Sequence, residues 1–195
     1  MSALKILVIP GSLRTGSHNA KLAAAAAYQL AQAGVEVTRL SLADFPLPIY
    51  DGDLQSKSGV PKNAVNLKRM IGAHHGVLMV TPEYNSSVPP LLKNAIDWAS
   101  RPTPATAALA NKPVAVLGAS TGMFGAAWAQ SELRKSLGLA GARVLDHEVA
   151  VPSAHEAFHE DGRLNRGGTR KRIREVLADL LEAVNRRAAA QAQPG

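Results

Sequence analysis

The chain has 195 residues, 22 Lys+Arg against 15 Asp+Glu, a formal charge of +7 and no cysteine. That length fits one domain able to bury a sizeable core without staples, and the missing cysteines exclude a disulfide framework, a thiolate metal site and a cysteine nucleophile. At 46% apolar residues it is no disordered polyelectrolyte, and its apolar runs are strand-length, too short for a membrane helix. Met1 to Lys5 lacks the basic and long apolar regions of a secretion signal, so a cytoplasmic location is expected. Leu4 to Pro10 reads as a buried strand and Asn19 to Ala33, stopped by Gly34, as a helix. Val35 to Leu40 alternates as a second strand, and Asp44 to Lys62, rich in Pro, Gly, Asp and Ser, reads as a long loop. A helix over Lys62 to Ala73, a strand over Gly76 to Thr81 and a helix over Pro90 to Ser100 follow. Pro113 to Leu117 is the fourth strand, Phe124 to Leu139 a helix and Arg143 to Val151 the fifth strand. Thr169 to Ala189 closes the chain as a helix, with Ile173, Val176, Leu177, Leu180, Leu181 and Val184 at helical spacing. No repeat or linker interrupts this order, so residues 1–187 form a single domain, and 188–195 are expected to fray as a disordered tail.

The charge is local. Residues 1–161 hold 14 basic and 12 acidic residues, 162–174 hold six basic and no acidic ones (Arg163, Arg166, Arg170, Lys171, Arg172, Arg174), and 175–195 hold two basic and three acidic. No stacking aromatics lie among the six, so nucleic acid is not the expected partner. A solvated helix entry accounts for them; an anion or subunit contact is the functional alternative.

Strand and helix alternating five times imply an α/β fold, a three-layer α/β/α sandwich around a five-stranded parallel sheet, in flavodoxin-like order 2-1-3-4-5. Ligands in such sheets sit beyond the carboxyl ends of the strands. Three polar or Gly-rich loops leave those ends: 11–17, 82–90 and 118–125.

In the first loop, Gly11-Ser12-Leu13-Arg14-Thr15-Gly16-Ser17-His18-Asn19, the glycine spacing matches a nucleoside-triphosphate loop, but Ser17 stands where that loop needs Lys. What remains suits one terminal phosphate: helix-start N–H groups, side-chain donors on Ser12, Ser17 and Asn19, and charge from Arg14. His18 adds charge there if protonated. The prolines of the second loop, Thr81-Pro82-Glu83-Tyr84-Asn85-Ser86-Ser87-Val88-Pro89-Pro90, stiffen a backbone suited to reading the edge of a flat heterocycle, with Tyr84 offering an apolar face.

Together GSLRTGSHN and PEYNSSVPPLLKNAIDW resemble the NADPH-dependent FMN reductase family of flavodoxin-like enzymes, which includes quinone- and chromate-reducing members. The resemblance runs from Lys5 to about Val151. It implies FMN as cofactor and NADPH or NADH as co-substrate. Ser12, Arg14, Ser17 and Asn19 would hold the FMN phosphate. Pro82, Glu83, Tyr84 and Asn85 would line the ring. Ser120, Thr121, Gly122 and Gly125 would form a third, Gly-rich wall. Asn85 and the neighbouring backbone would stabilise charge on the reduced ring. It also implies a homodimer or homotetramer and a small-molecule electron acceptor such as a quinone, flavin, azo compound or chromate, reached by ping-pong hydride transfer. No 2′-phosphate motif chooses between NADPH and NADH; Arg101 and the 162–174 cluster are the cations available for it.

Three rival readings use other features. A non-enzymatic, flavodoxin-like electron carrier shares the fold, although such carriers are usually acidic. Gly118-Ala119-Ser120-Thr121-Gly122 matches the G-x-S-x-G elbow of serine hydrolases, with Asp146 and His155 or His159 downstream. His155-Glu156-Ala157-Phe158-His159 matches a zinc-protease pattern, but Asn165 stands at the third ligand position and no Met follows Met123, so no metal site is expected.

Overall fold

A computed structural model describes residues 3–102, 108–165 and 167–192. Its elements are β1 (Lys5–Pro10), α1 (His18–Gln32), β2 (Glu36–Arg39), α2 (Gly52–Ser58), α3 (Lys62–Ala73), β3 (Gly76–Thr81), α4 (Pro90–Ala99), β4 (Pro113–Ala119), α5 (Ala127–Leu139), β5 (Arg143–Val151) and α6 (Gly167–Ala192), with a short 3₁₀ turn at Leu42–Asp44. The five strands are parallel in the order β2-β1-β3-β4-β5, the expected flavodoxin-like sheet.

Alternate residues of each strand feed opposite faces, as the pleat requires. Ile6, Val8, Leu78, Val80, Ala115 and Leu117 pack with Leu22, Ala26, Leu30, Ile173, Leu177 and Leu180 of α1 and α6. Leu7, Ile9, Val77, Met79, Val114 and Val116 pack with Leu67, Ile71, Leu92, Ile96, Leu133 and Leu137 of α3, α4 and α5. Both faces of β3 and β4 are covered, which explains their unbroken apolar runs.

Three differences from expectation exceed two residues. The stretch expected as one long loop contains α2. Asp51 caps it by accepting from the Asp53 and Leu54 N–H groups, and Gly59, at φ 74°, ends it. Helix α5 starts at Ala127 rather than Phe124, because Gly125 and Ala126 take positive φ values of 59° and 69°, which no right-handed helix admits. The segment 188–192, expected to fray, continues α6 through Ala192, in line with the helix propensity of its Ala and Gln residues; 193–195 lie outside the described residues.

Candidate active site

The three loops meet at the carboxyl ends of β1, β3 and β4. They surround one cleft lined by Ser12, Arg14, Ser17, His18, Asn19, Pro82, Glu83, Tyr84, Ala119, Ser120 and Thr121. Nine of the twelve expected site residues lie on it; Asn85, Gly122 and Gly125 do not.

Loop one carries the residues expected at a phosphate. Ser17 caps α1, its Oγ accepting from the Ala20 N–H at 3.3 Å, and is buried. The first turn leaves the His18 and Asn19 N–H groups without intrahelical acceptors, at the positive end of the helix dipole. Ser12 Oγ accepts from the Arg14 N–H at 3.4 Å, and Arg14 is exposed, with no ion pair engaging its guanidinium among the described residues. These groups fit a terminal phosphate: hydroxyl donors, free N–H groups and one uncommitted cation.

Asn19, expected at the phosphate, also has a structural task. Its Nδ2 donates to the Ala119 carbonyl at 2.8 Å and its Oδ1 accepts from the Ala119 N–H at 2.9 Å. The side chain is 3% exposed, so it is a buried two-point clamp between loop one and the end of β4.

Loop two is a tight hairpin. Tyr84 and Ser87 exchange both backbone hydrogen bonds at 3.1 Å, and Asn85 and Ser86 between them have φ values of 51° and 58°. Two successive positive φ values are what a type I′ turn demands, and Asn tolerates them better than most residues. Asn85 is therefore an exposed turn residue at the hairpin tip. Two side chains tie this hairpin to α5. Ser87 Oγ donates to Glu132, and Glu83 Oε2 accepts from the Ala129 N–H at 3.1 Å. The second bond supplies the cap that Ala126 lacks, and places a carboxylate at the helix's positive end. Glu83 thus lines the cleft while its carboxylate serves α5. Glu83→Ala should lower stability by about 1 kcal/mol in urea unfolding, and Glu83→Gln, which keeps an acceptor, by less.

Loop three is shaped against β5. A Cβ on Gly125 would sit 2.6 Å from the Val151 nitrogen and 2.7 Å from the Pro152 nitrogen, so this glycine permits backbone packing rather than approach to a ligand. The segment after β5 joins it: the Ala154 N–H donates to the Ser120 carbonyl at 3.0 Å and Ser153 N–H to that of Gly122 at 3.3 Å. The segment thus backs loop three without lining the cleft, and nothing in its composition shows that it folds back on residues 120–122.

The rival chemistries find no assembled site. Ser120 Oγ accepts from the Gly122 N–H at 3.2 Å and no imidazole among the described residues is hydrogen-bonded to it. Ser120 lies seven residues before α5 rather than at a sharp strand-to-helix elbow. Asp146 is exposed and pairs with Arg134 at 3.5 Å. The 155–159 segment is a series of turns, not a helix, with His155 paired to Glu156 at 3.4 Å, and among the described residues no cluster of acidic and imidazole side chains could hold a metal. Arg101 is also committed elsewhere: it donates to the Asp97 carbonyl, Tyr50 Oη and Ser100 Oγ, and lies 4.9 Å from the Tyr50 ring centroid. Of the basic cluster, Arg163 pairs with Asp161 at 2.6 Å, Lys171 with Glu175 at 3.9 Å, and Arg172 donates to the Ala150 carbonyl at 3.3 Å; Arg166 lies outside the described residues.

The family model for NADPH-dependent FMN reductases matches residues 4–156, spanning all the loops that line this cleft. The chain belongs to that family. It is an oxidoreductase that works with FMN and NAD(P)H. Over 185 residues it is 40% identical to an NAD(P)H-dependent FMN reductase of Pseudomonas aeruginosa, covering 94% of this chain and 96% of that one. It is 43% identical over 144 residues to a quinone reductase of Escherichia coli K12, covering 73% and 74% of the two chains. Among solved structures it is similar to the flavoenzyme NAD(P)H:(acceptor) oxidoreductase FerB of Paracoccus denitrificans, with TM-score 0.80, 34% identity and coverage of 94% and 98%. A flavodoxin from the Archaea, at TM-score 0.63 and 13% identity, shares the fold alone.

Proposed function

We propose that the chain passes electrons from NAD(P)H through FMN to a small, flat acceptor of the quinone class. The convergence of loops one, two and three on a single cleft carries this reading. The named activities of the Escherichia coli relative and of a Burkholderia 2-hydroxy-1,4-benzoquinone reductase, 45% identical over 132 residues, support the acceptor class. Bound there, FMN would supply the two-electron chemistry that links hydride from NAD(P)H to reduction of a quinone to its hydroquinone, with protons from solvent. The protein's share is to bind and orient. Ser12, Arg14, Ser17 and the start of α1 hold the phosphate. The Pro82–Tyr84 backbone borders the ring, and the Tyr84 face, 49% exposed, leaves room for a second planar molecule. Loop three, with Ser120 and Thr121, closes the opposite side. No acid–base triad is required, in keeping with the absence of an assembled one among the described residues.

Asn85 acts in this scheme as a positioning residue, forming the turn that sets where Pro82, Glu83 and Tyr84 lie along the cleft. Asn85→Gly, which favours positive φ, should keep kcat within about twofold, whereas Asn85→Val should lower it about tenfold or more through the strained turn. Equal losses in both variants would assign the work to the amide itself.

A homodimer or homotetramer fits Met123, Phe124 and Trp128 at the rim of loop three, exposed by 76%, 53% and 47%, with the two rings 4.6 Å apart. No helix among the described residues is long and apolar enough to cross a membrane, which is compatible with the cytoplasmic location proposed. Steady-state rates with 1,4-benzoquinone, an azo dye and chromate test the acceptor class. The quinone should give the highest kcat/KM, with parallel double-reciprocal lines against NADPH. Turnover of the azo dye or chromate in preference to the quinone would overturn the assignment.

A further inference from the structure

His18 lies between the α1 cap Ser17 and the clamp Asn19, and lines the same cleft. Its ring stacks on that of Phe158, with centroids 6.4 Å apart and planes at 12°. Phe158 is held in turn by a bridge to Leu164 across a turn that contains Gly162 at φ 81°. The segment after β5 thereby sets a nearly parallel ring beside the imidazole.

The two ring nitrogens differ. Nδ1 is buried and has no hydrogen-bond partner. A proton there would bury an N–H without an acceptor, a penalised state, whereas a bare lone pair is better tolerated. The proton of the neutral ring therefore belongs on Nε2. Double protonation would place the penalised N–H at Nδ1 as well. Burial, with further contributions from Arg14, Lys21 and His155, holds the His18 pKa below its ordinary value. The ring is thus a neutral donor near neutral pH, not the added positive charge that its place in the sequence suggested. No group among the described residues takes the Nε2–H.

We propose that His18 is a further phosphate ligand of the flavin site, donating Nε2–H to the terminal phosphate of FMN from a ring oriented by Phe158. The proposal rests on the reading of loop one as a phosphate cradle. In this arrangement the segment 153–165 takes part in cofactor binding through one aromatic contact, although it supplies no ligand of its own.

FMN and riboflavin share ring and ribityl chain but differ in the phosphate, so the pair isolates the proposed bond. The full-length chain, freed of flavin, is titrated with each and binding is followed by quenching of flavin fluorescence. His18→Phe keeps a ring against Phe158 but removes the donor. It should weaken FMN binding about tenfold or more, the worth of a hydrogen bond to a charged group, and leave riboflavin binding within about twofold. His18→Gln, whose amide nitrogen reaches the Nε2 position, should recover most of the loss. His18→Asn, whose amide reaches only as far as Nδ1, should behave like the phenylalanine variant, and serves in its place if that variant does not fold. His18→Phe binding FMN as tightly as wild type, or losing FMN and riboflavin equally, would overturn the proposal. Wild-type chain that binds FMN no more tightly than riboflavin would instead overturn the phosphate-cradle reading beneath it, and the proposal with it.

Discussion

Gly125→Ala is expected to destabilise the protein by about 2–5 kcal/mol and to lower the thermal midpoint by roughly 5–15 °C. Two effects add. The residue sits at φ 59°, where a Cβ is strained, and the added carbon would lie 2.6 Å from the Val151 nitrogen and 2.7 Å from the Val151 carbonyl carbon and the Pro152 nitrogen. These neighbours are backbone at the end of β5 and cannot rotate away as a flexible side chain would. Relief requires loop three to move outward, which would break the Ala154–Ser120 and Ser153–Gly122 backbone bonds, at 3.0 and 3.3 Å, that hold loop three to the segment after β5. The same substitution should therefore weaken FMN binding along with stability. Gly122→Ala is the control: an added Cβ there meets only Ser120 Oγ at 3.6 Å, an ordinary contact, so its midpoint should stay within about 2 °C of wild type. Equal thermal midpoints for the two variants would show that the β5 contact does not shape loop three.

The second large effect is expected from Asn19→Ala. Removing the amide strands the N–H and C=O of Ala119, both buried at the end of β4, and opens a small cavity beside them. A loss of about 2–4 kcal/mol follows from two unsatisfied backbone groups. Because the clamp joins loop one to loop three, FMN binding should fall with it, even though the side chain is already committed to Ala119. Arg14→Ala provides the contrast. Its guanidinium is exposed and engages no partner among the described residues, so stability without flavin should be unchanged while FMN binding weakens by about 1.5–3 kcal/mol. Urea unfolding of the flavin-free chain, paired with FMN titration, separates the two: Asn19→Ala moves both readings and Arg14→Ala only the second. An Arg14→Ala protein that retains flavin like wild type would remove this residue from the phosphate site.

The fold was legible because each strand of the sheet carries its own signal. The apolar runs at 5–10, 76–81 and 113–119 can be satisfied only by a sheet covered on both faces, and the helices between them fix the connections as parallel. The three ligand loops were legible for a related reason: polar and Gly-rich segments at the carboxyl ends of buried strands have little structural reason to be there. Roles within the loops were less accessible. Asn19, Glu83 and Gly125 carry the residue types of a binding site, yet their partners, Ala119, Ala129 and Val151, are distant in sequence and have no chemical signature. Asn85 carries a residue type suited to a turn as well as to a ring contact, and its turn-forming task shows only in its φ of 51°. The packing of 153–165 on loop three was obscured by its resemblance to a zinc motif and by an ordinary turn sequence. Its contribution comes through backbone hydrogen bonds and one ring stack, which composition does not record.

One experiment bears on the whole scheme at once. The purified chain is saturated with FMN under anaerobic conditions, NADPH is added in equimolar amount, and then 1,4-benzoquinone, while flavin absorbance is recorded. The loops as described require one FMN bound per chain, loss of the oxidised-flavin absorbance on adding NADPH, and its full return on adding the quinone. A chain that takes up no FMN, or whose bound FMN is left oxidised by both NADPH and NADH, would contradict it.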